Sequence, residues 1–403
     1  VNPPVEITVA TYEQARDAFR QKELRQALYD EGEVVMADVL VNLHGADHRA
    51  RRRLENRLFR KDTHIRYERE SFPPVVARTL APHVAAGSAE LVGLSHEMMM
   101  NLAAFTAGVD RPEGTATETM HLYEFMMLFI QGATLAHYTG DRAAKRAEVA
   151  AALGAFDDEF LAPSIARRRG LLAEVAAGRL DEADLPRDVL TTLLRNEDEL
   201  HLPDDVVLRE TCFFLLAGAH TSATAFVRTL HQVFAMATEH PDDFARACSD
   251  LAFLQRCLHE TVRLQPSSPI AQRWALADVE LAGGIEVPAG ARVTIDLMAA
   301  NRDPVAFGDH PDVFDPHRAL PAGVAPWGLS FGLGMHACIG QDLAAGIDPL
   351  GRAVDDDHLY GLVPVAARAV LDAGGRPDPA DPPVIDPQSA RGYWGRYPVV
   401  FPG

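Results

Sequence analysis

The sequence predicts a mainly α-helical fold with small β-sheets, on three observations. Apolar residues recur at helical spacing near residues 11–20, 46–60, 72–86, 117–136, 141–169, 204–238 and 250–264. Short alternating runs bounded by glycine and proline, at 279–281, 285–287, 292–295 and near 397–401, read as strands. No internal repeat occurs and no Ser- or Gly-rich linker divides the 403 residues, so one domain spanning residues 1–403 is expected. With 47% hydrophobic residues the chain can bury a large core.

Charge and cysteine usage narrow the class. The formal net charge is −19, which disfavours nucleic acid and anionic membrane surfaces as partners. Cys212, Cys248, Cys257 and Cys338 show no Cys-x-x-Cys spacing, so neither a disulfide framework nor a zinc site is implied. The apolar run at 211–219 is far shorter than the roughly 20 residues that span a bilayer, and Arg209, Glu210 and His220 flank it. The opening Val-Asn-Pro-Pro-Val-Glu has no basic stretch followed by an apolar one. A cytoplasmic protein with no membrane span is expected.

The elements can be justified in order. In the 46–60 helix, His48 and Arg52 are four apart, so both can reach one carboxylate; as members of a basic cluster they equally suit a solvated face. Arg49, Arg53 and Arg57 form a second stripe, rotated by ~100° on an ideal helix. Met98, Met99, Met100, Met126 and Met127 suit either adaptable pocket walls or core. The helix at about 204–238 carries Phe213, Phe214, Leu216 and Ala217, then the small residues of Ala217-Gly-Ala-His-Thr221. Such a run opens a gap where a ligand can lie against the backbone, although small residues also serve close helix packing. Within the next helix the three-residue spacing of Glu260 and Arg263 places both on one face.

The loop 331–340, Phe331-Gly-Leu-Gly-Met-His-Ala-Cys-Ile-Gly340, is the most specific stretch. It holds one cysteine among glycines, and Gly332, Gly334 and Gly340 let a backbone turn tightly and pass close to a flat partner. A thiolate there would be favoured by nearby N–H groups, by a metal and by the dipole of a following helix. An ordinary glycine turn with an inert cysteine is the simpler alternative for such a residue taken alone. Beyond it, Gly346-Ile-Asp-Pro349 should stop or kink the helix, and the sequence assigns no role to 346–375.

Phe-x-x-Gly-x-His-x-Cys-x-Gly resembles the haem-binding signature of the cytochrome P-450 family, with matches at Phe331, Gly334, His336, Cys338 and Gly340. Glu260-Thr-Val-Arg263 resembles the family's Glu-x-x-Arg. Asn301-Arg-Asp-Pro304 and Phe314-Asp-Pro-His-Arg318 resemble its meander. The resemblance implies the cytochrome P-450 fold, a haem b cofactor and Cys338 as the axial iron ligand. It implies Glu260, Arg263 and Arg318 as a structural triad, and His48, Arg52, Arg273 and His336 as partners of the haem propionates. Phe331, Gly332 and Gly340 would flank the haem. Thr221 matches the hydroxyl of the oxygen groove; the preceding residue is usually acidic, and here it is His220, which can relay protons or simply be a core histidine. The substrate pocket would draw on Phe214, Ala217, Ser268, Pro269, Ile270, Tyr393 and Trp394. The stretch before His48 is shorter than the resemblance implies.

A haem-thiolate monooxygenase is therefore expected, oxidising a lipophilic small molecule of the terpenoid, steroid, polyketide or fatty-acid class with O2. Because no flavin or iron–sulfur motif is visible, electrons would come from a separate ferredoxin or flavodoxin, which the Arg49, Arg53 and Arg57 stripe would greet. Two alternatives fit the same residues. One is a peroxide-driven or non-oxygenating haem-thiolate enzyme; the other is a non-catalytic haem-binding sensor or carrier.

Overall fold

The computed structural model describes residues 3–349, 354–387, 389 and 391–402. Contacts divide the chain into two compact units, one of Val1–Ala27, His64–Ser95 and Ser222–Gly403, the other of Leu28–Thr63 and His96–Thr221.

The first unit carries all the described sheets, of four, three, two and two strands. In the four-stranded sheet Glu6–Val9 runs parallel to Arg292–Asp296, which pairs antiparallel with Ile270–Ala275, which pairs with Leu24–Gln26. Alternate residues Val293 and Ile295 point into a core shared with Val9, Ala15, Ala18, Leu297 and Phe307. Val279–Leu281 and Ile285–Val287 form a hairpin whose turn uses Gly283 and Gly284 at positive φ. Pro398–Val400 pairs with both Ser88–Glu90 and Arg376–Pro377. Tyr12–Arg20 starts at a capping box between Thr11 and Gln14, and Leu251–Leu264 starts where the Asp250 carboxylate accepts from Ala252 and Phe253.

The described residues of the second unit form helices joined by turns and loops, with no strand among them. Ala116–Ala133 packs on Arg142–Phe156, and Phe129 meets Phe156 edge to face at 5.4 Å. Gly132 lets the helices approach, because a Cβ there would collide with Val149. The 141–169 pattern is one longer run reaching Ala176, widened into a π turn at Asp157–Leu161; Pro163, which offers no N–H, lies just beyond. The 46–60 pattern ends earlier, at Glu55. After the Asn56 cap the chain turns on three-residue hydrogen bonds that bury Leu58. Leu91–Ala107, whose second part belongs to this unit, lacks a one-sided apolar stripe and so carries no helical period in its sequence. Met98, Met99, Met100 and Met126 are core residues at 1% exposure or less, and Met127 is half-buried.

One buried carboxyl in this unit makes a testable pH dependence. Glu210 accepts from Arg51 Nη1 at 2.7 Å and from the Leu40 N–H at 3.0 Å. Glu55 is also buried, and neither of its oxygens has a hydrogen-bond partner among the described residues. Burial, and then the neighbouring Glu210, push the Glu55 carboxyl well above the usual carboxylate range. A carboxyl that ionises later in the folded state costs stability as pH rises above its unfolded value. Glu55→Met should therefore raise unfolding stability by about 1–3 kcal/mol at pH 8, and by progressively less towards about pH 5. Urea titrations that stay parallel across this range would contradict it.

Candidate functional site

The glycine loop lies in the first unit. The Cys338 N–H donates to Phe331 O at 2.8 Å, closing the loop, and a 3-10 turn occupies Gly334–His336. Gly334 has φ 70°, and a Cβ on it would meet the Phe19 carbonyl oxygen at 2.5 Å, so this position takes glycine for both reasons. Gly332 also has positive φ; Gly340 does not, and a Cβ on it would meet open space. Cys338 is the one exposed cysteine. Burial pushes the thiols of Cys212, Cys248 and Cys257 up, which makes those three poor anions. No group of three His, Cys, Asp or Glu side chains that could hold a metal ion occurs among the described residues.

The loop rests on a buried ionic framework. Glu260 accepts from Arg263 at 2.6 and 2.7 Å and from Arg318 Nε at 3.1 Å. Arg263 also donates to Asn301 O at 2.6 Å and Pro311 O at 2.8 Å, and its guanidinium lies over Phe307. Asn301 Nδ2 donates to Arg263 O and Ser330 Oγ, while its Oδ1 accepts from the Leu329 N–H at 2.8 Å. The framework thus reaches the residue immediately before Phe331. Sequence reasoning quoted Asn301 only as part of a motif and missed Ser330; the asparagine in an Asn-Arg-Asp-Pro turn was the available signal.

Arg273 is buried on Ile270–Ala275, donates to Gln26 Oε1 and to Gln272 O, and lies over the Phe19 ring at 5.3 Å. His336 is half-buried within the loop. Ser268 and Pro269 lead into the strand beginning at Ile270, with Pro269 O accepting from Leu297. Tyr393 lies under the Arg228 guanidinium, and Trp394 packs on Tyr397 and His231.

In the second unit, His48 is buried on Gly45–Glu55, and burial, followed by Arg52, pushes its pKa down to about 4. Arg52 Nε donates to Asn56 Oδ1 at 3.0 Å. The arginine stripe is partly engaged: Arg53 pairs with Glu199, and Arg57, beyond the helix end, donates to Asn196. Phe214 stacks on Phe59. Thr221 Oγ1 donates to Ala217 O at 2.6 Å, one turn back. Within 211–223 only Gly218 and Thr221 are exposed, leaving a narrow open face on an otherwise buried stretch, while Ala217 and His220 are half-buried. His96 stacks on Tyr123 at 4.5 Å; burial, and then His220, hold its pKa near 4. No local pattern in the sequence marks the His96–Tyr123 pair.

A family model described as Cytochrome P-450 matches residues 158–346. Cyclooctat-9-en-7-ol 5-monooxygenase of Streptomyces melanosporofaciens is 29% identical over 379 residues, covering 81% of this chain and 75% of that protein. Erythromycin C-12 hydroxylase of Saccharopolyspora erythraea is 35% identical over 178 residues, covering 43% of this chain and 41% of that protein. Several other curated relatives likewise align over only 36–42% of their own length. The crystal structure of CalO2 superposes with a TM-score of 0.75 at 20% identity, covering 98% of this chain and 90% of that one. The matched stretch, these relatives and the superposed fold support a cytochrome P-450 of the haem-thiolate monooxygenase kind. The family implies a haem cofactor, O2 and a redox partner. Among the described residues no helix is long and apolar enough to cross a membrane.

Proposed function

We propose that residues 1–403 act as one cytochrome P-450 domain that binds haem b through the Cys338 thiolate and inserts one atom of O2 into a lipophilic small molecule. The observation that carries this reading is the exposed Cys338 on a glycine loop closed onto Phe331 and braced by Glu260, Arg263 and Arg318. Haem held by a thiolate supplies oxygen activation. The overall balance is substrate, O2, two electrons and two protons giving hydroxylated substrate and water. Arg273 and Arg52 offer the charge, and His336 and the neutral His48 offer ring N–H donors, to hold two propionates. Phe331, Gly332 and Gly340 would flank the ring. Thr221 holds a proton on Oγ1, with His220 as its neighbouring relay. Phe214, Ala217, Ser268, Pro269, Ile270, Tyr393 and Trp394 supply apolar surface with a few polar handles.

A terpenoid is favoured over a steroid, polyketide or fatty acid, because the relative aligned over most of both chains is named for oxidising cyclooctat-9-en-7-ol. Electrons arrive from a ferredoxin or flavodoxin. Changing Arg49, Arg53 and Arg57 to Gln should slow reduction in a salt-dependent way without altering substrate binding.

The test is turnover of a terpenoid panel under isotopically heavy O2 with a surrogate ferredoxin, its reductase and NADPH. One heavy oxygen atom per product is expected. Activity with peroxide but not with ferredoxin would select the peroxide-driven alternative, and electron consumption without any product would select the carrier. In the same assay Thr221→Ala should give about tenfold less product per electron, as expected when a proton donor is lost; unchanged coupling would remove Thr221 from proton delivery.

A further inference from the structure

The helix that follows the cysteine loop is unusually short. It spans Gln341–Ala345 and ends at Gly346, with φ 71°. Further along the chain, Gly361, with φ 91°, caps the start of Leu362–Asp372. The two glycines are in contact: a Cβ on Gly361 would collide with Gly346 N, and one on Gly346 with Leu359 O. The Ile347 N–H donates to Leu359 O at 2.9 Å, joining the two described segments.

Interrupting a helix strands carbonyls that the next turn would have satisfied. Here they are taken up by the Leu251–Leu264 helix. Gln255 Nε2 lies 3.0 Å from Ala345 O, 3.3 Å from Ile347 O and 3.1 Å from Leu359 O. His259 Nε2 lies 2.8 Å from Ala345 O; a carbonyl only accepts, so this nitrogen carries the proton. Burial holds the imidazole neutral, with a pKa of about 4. His358 Nε2 is 2.9 Å from Gln255 Oε1, completing the amide's contacts. The other face of His259 meets Trp327 edge to face at 5.0 Å, and Trp327 meets Phe331 in the same way at 5.8 Å. His259 therefore touches both strands of chain that bound the loop, one through Ala345 and the other through Trp327 and Phe331, next to the triad residue Glu260.

We propose that Gln255 and His259 are positioning residues that replace the missing helical hydrogen bonds and fix the cysteine loop, so that the Cys338 sulfur stays bound to iron as a thiolate. The role rests on the haem-thiolate reading above. It goes beyond the Glu260–Arg263–Arg318 triad, which braces only the entry side of the loop.

The test compares haem-loaded wild type, His259→Phe, His259→Gln, Gln255→Met and a stability control, Leu258→Ala, in the same helix. Two quantities are read below the unfolding temperature: the rate at which the reduced carbonyl complex loses its thiolate-type spectrum, and the haem midpoint potential. His259→Phe keeps a ring against Trp327 but loses the donor, and Gln255→Met loses all three contacts to carbonyls. Each should speed the spectral conversion about tenfold, equivalent to ~1.4 kcal/mol, and shift the potential. His259→Gln, which retains a donor, should restore both, and Leu258→Ala should move neither. Wild-type rates and potentials in both donor-deleted variants would overturn the proposal, as would an equal acceleration in Leu258→Ala. If His259→Phe does not fold, Gln255→Met decides on the same readouts. Absence of a thiolate spectrum in the wild type would instead overturn the haem-thiolate reading.

Discussion

Replacing Arg263 with alanine should destabilise the protein by about 3–5 kcal/mol, the range for breaking one partner out of a buried ion pair. Arg263 has 0% exposure, and its guanidinium meets both Glu260 oxygens, Asn301 O and Pro311 O. Truncation leaves a buried carboxylate with Arg318 as its remaining side-chain cation and strands two carbonyls. Because Asn301 links this framework to Leu329 and Ser330, haem retention should fall alongside stability. Urea unfolding of the variant checks the magnitude. A loss below about 1 kcal/mol, as expected for an exposed pair such as Arg53 with Glu199, would mean that the framework does not carry the loop.

Replacing Cys338 with alanine should leave folding within about 1 kcal/mol of wild type and remove product formation to background. The contrast follows from where the residue sits. Its side chain is exposed, so little burial is lost, and its N–H bond to Phe331 O is a backbone contact that alanine keeps. Chemistry depends on the sulfur, which donates electron density to iron in a way that a water or histidine ligand does not. Turnover and thermal unfolding measured side by side separate the two effects. Retained turnover in the variant would rule out Cys338 as the functional ligand.

The elements legible in the sequence were those whose information is local. Thr11 and Gln14 announce the start of Tyr12–Arg20, and Gly283 with Gly284 announces the hairpin. Gly346 and Pro349 signalled the end of the post-cysteine helix, which stops at Ala345. The parallel pairing of Glu6–Val9 with Arg292–Asp296 joins distant segments and leaves no mark on either. Leu91–Ala107 was missed for the opposite reason: buried on most sides, it has no polar face to give a period. At the site, the residue spacing of 331–340 was readable, as were Glu260, Arg263 and Arg318. The contacts of Asn301, Ser330, Gln255 and His259 were not, because each depends on a loop returning to a helix dozens of residues earlier in the chain.

The most direct measurement is the absorption spectrum of the purified, haem-supplemented protein, reduced and exposed to carbon monoxide, beside Cys338→Ala. The expected result is a strongly red-shifted Soret band in the wild type that the variant lacks. Failure to take up haem, or the same histidine-like carbonyl spectrum in both proteins, would contradict a thiolate ligand at Cys338.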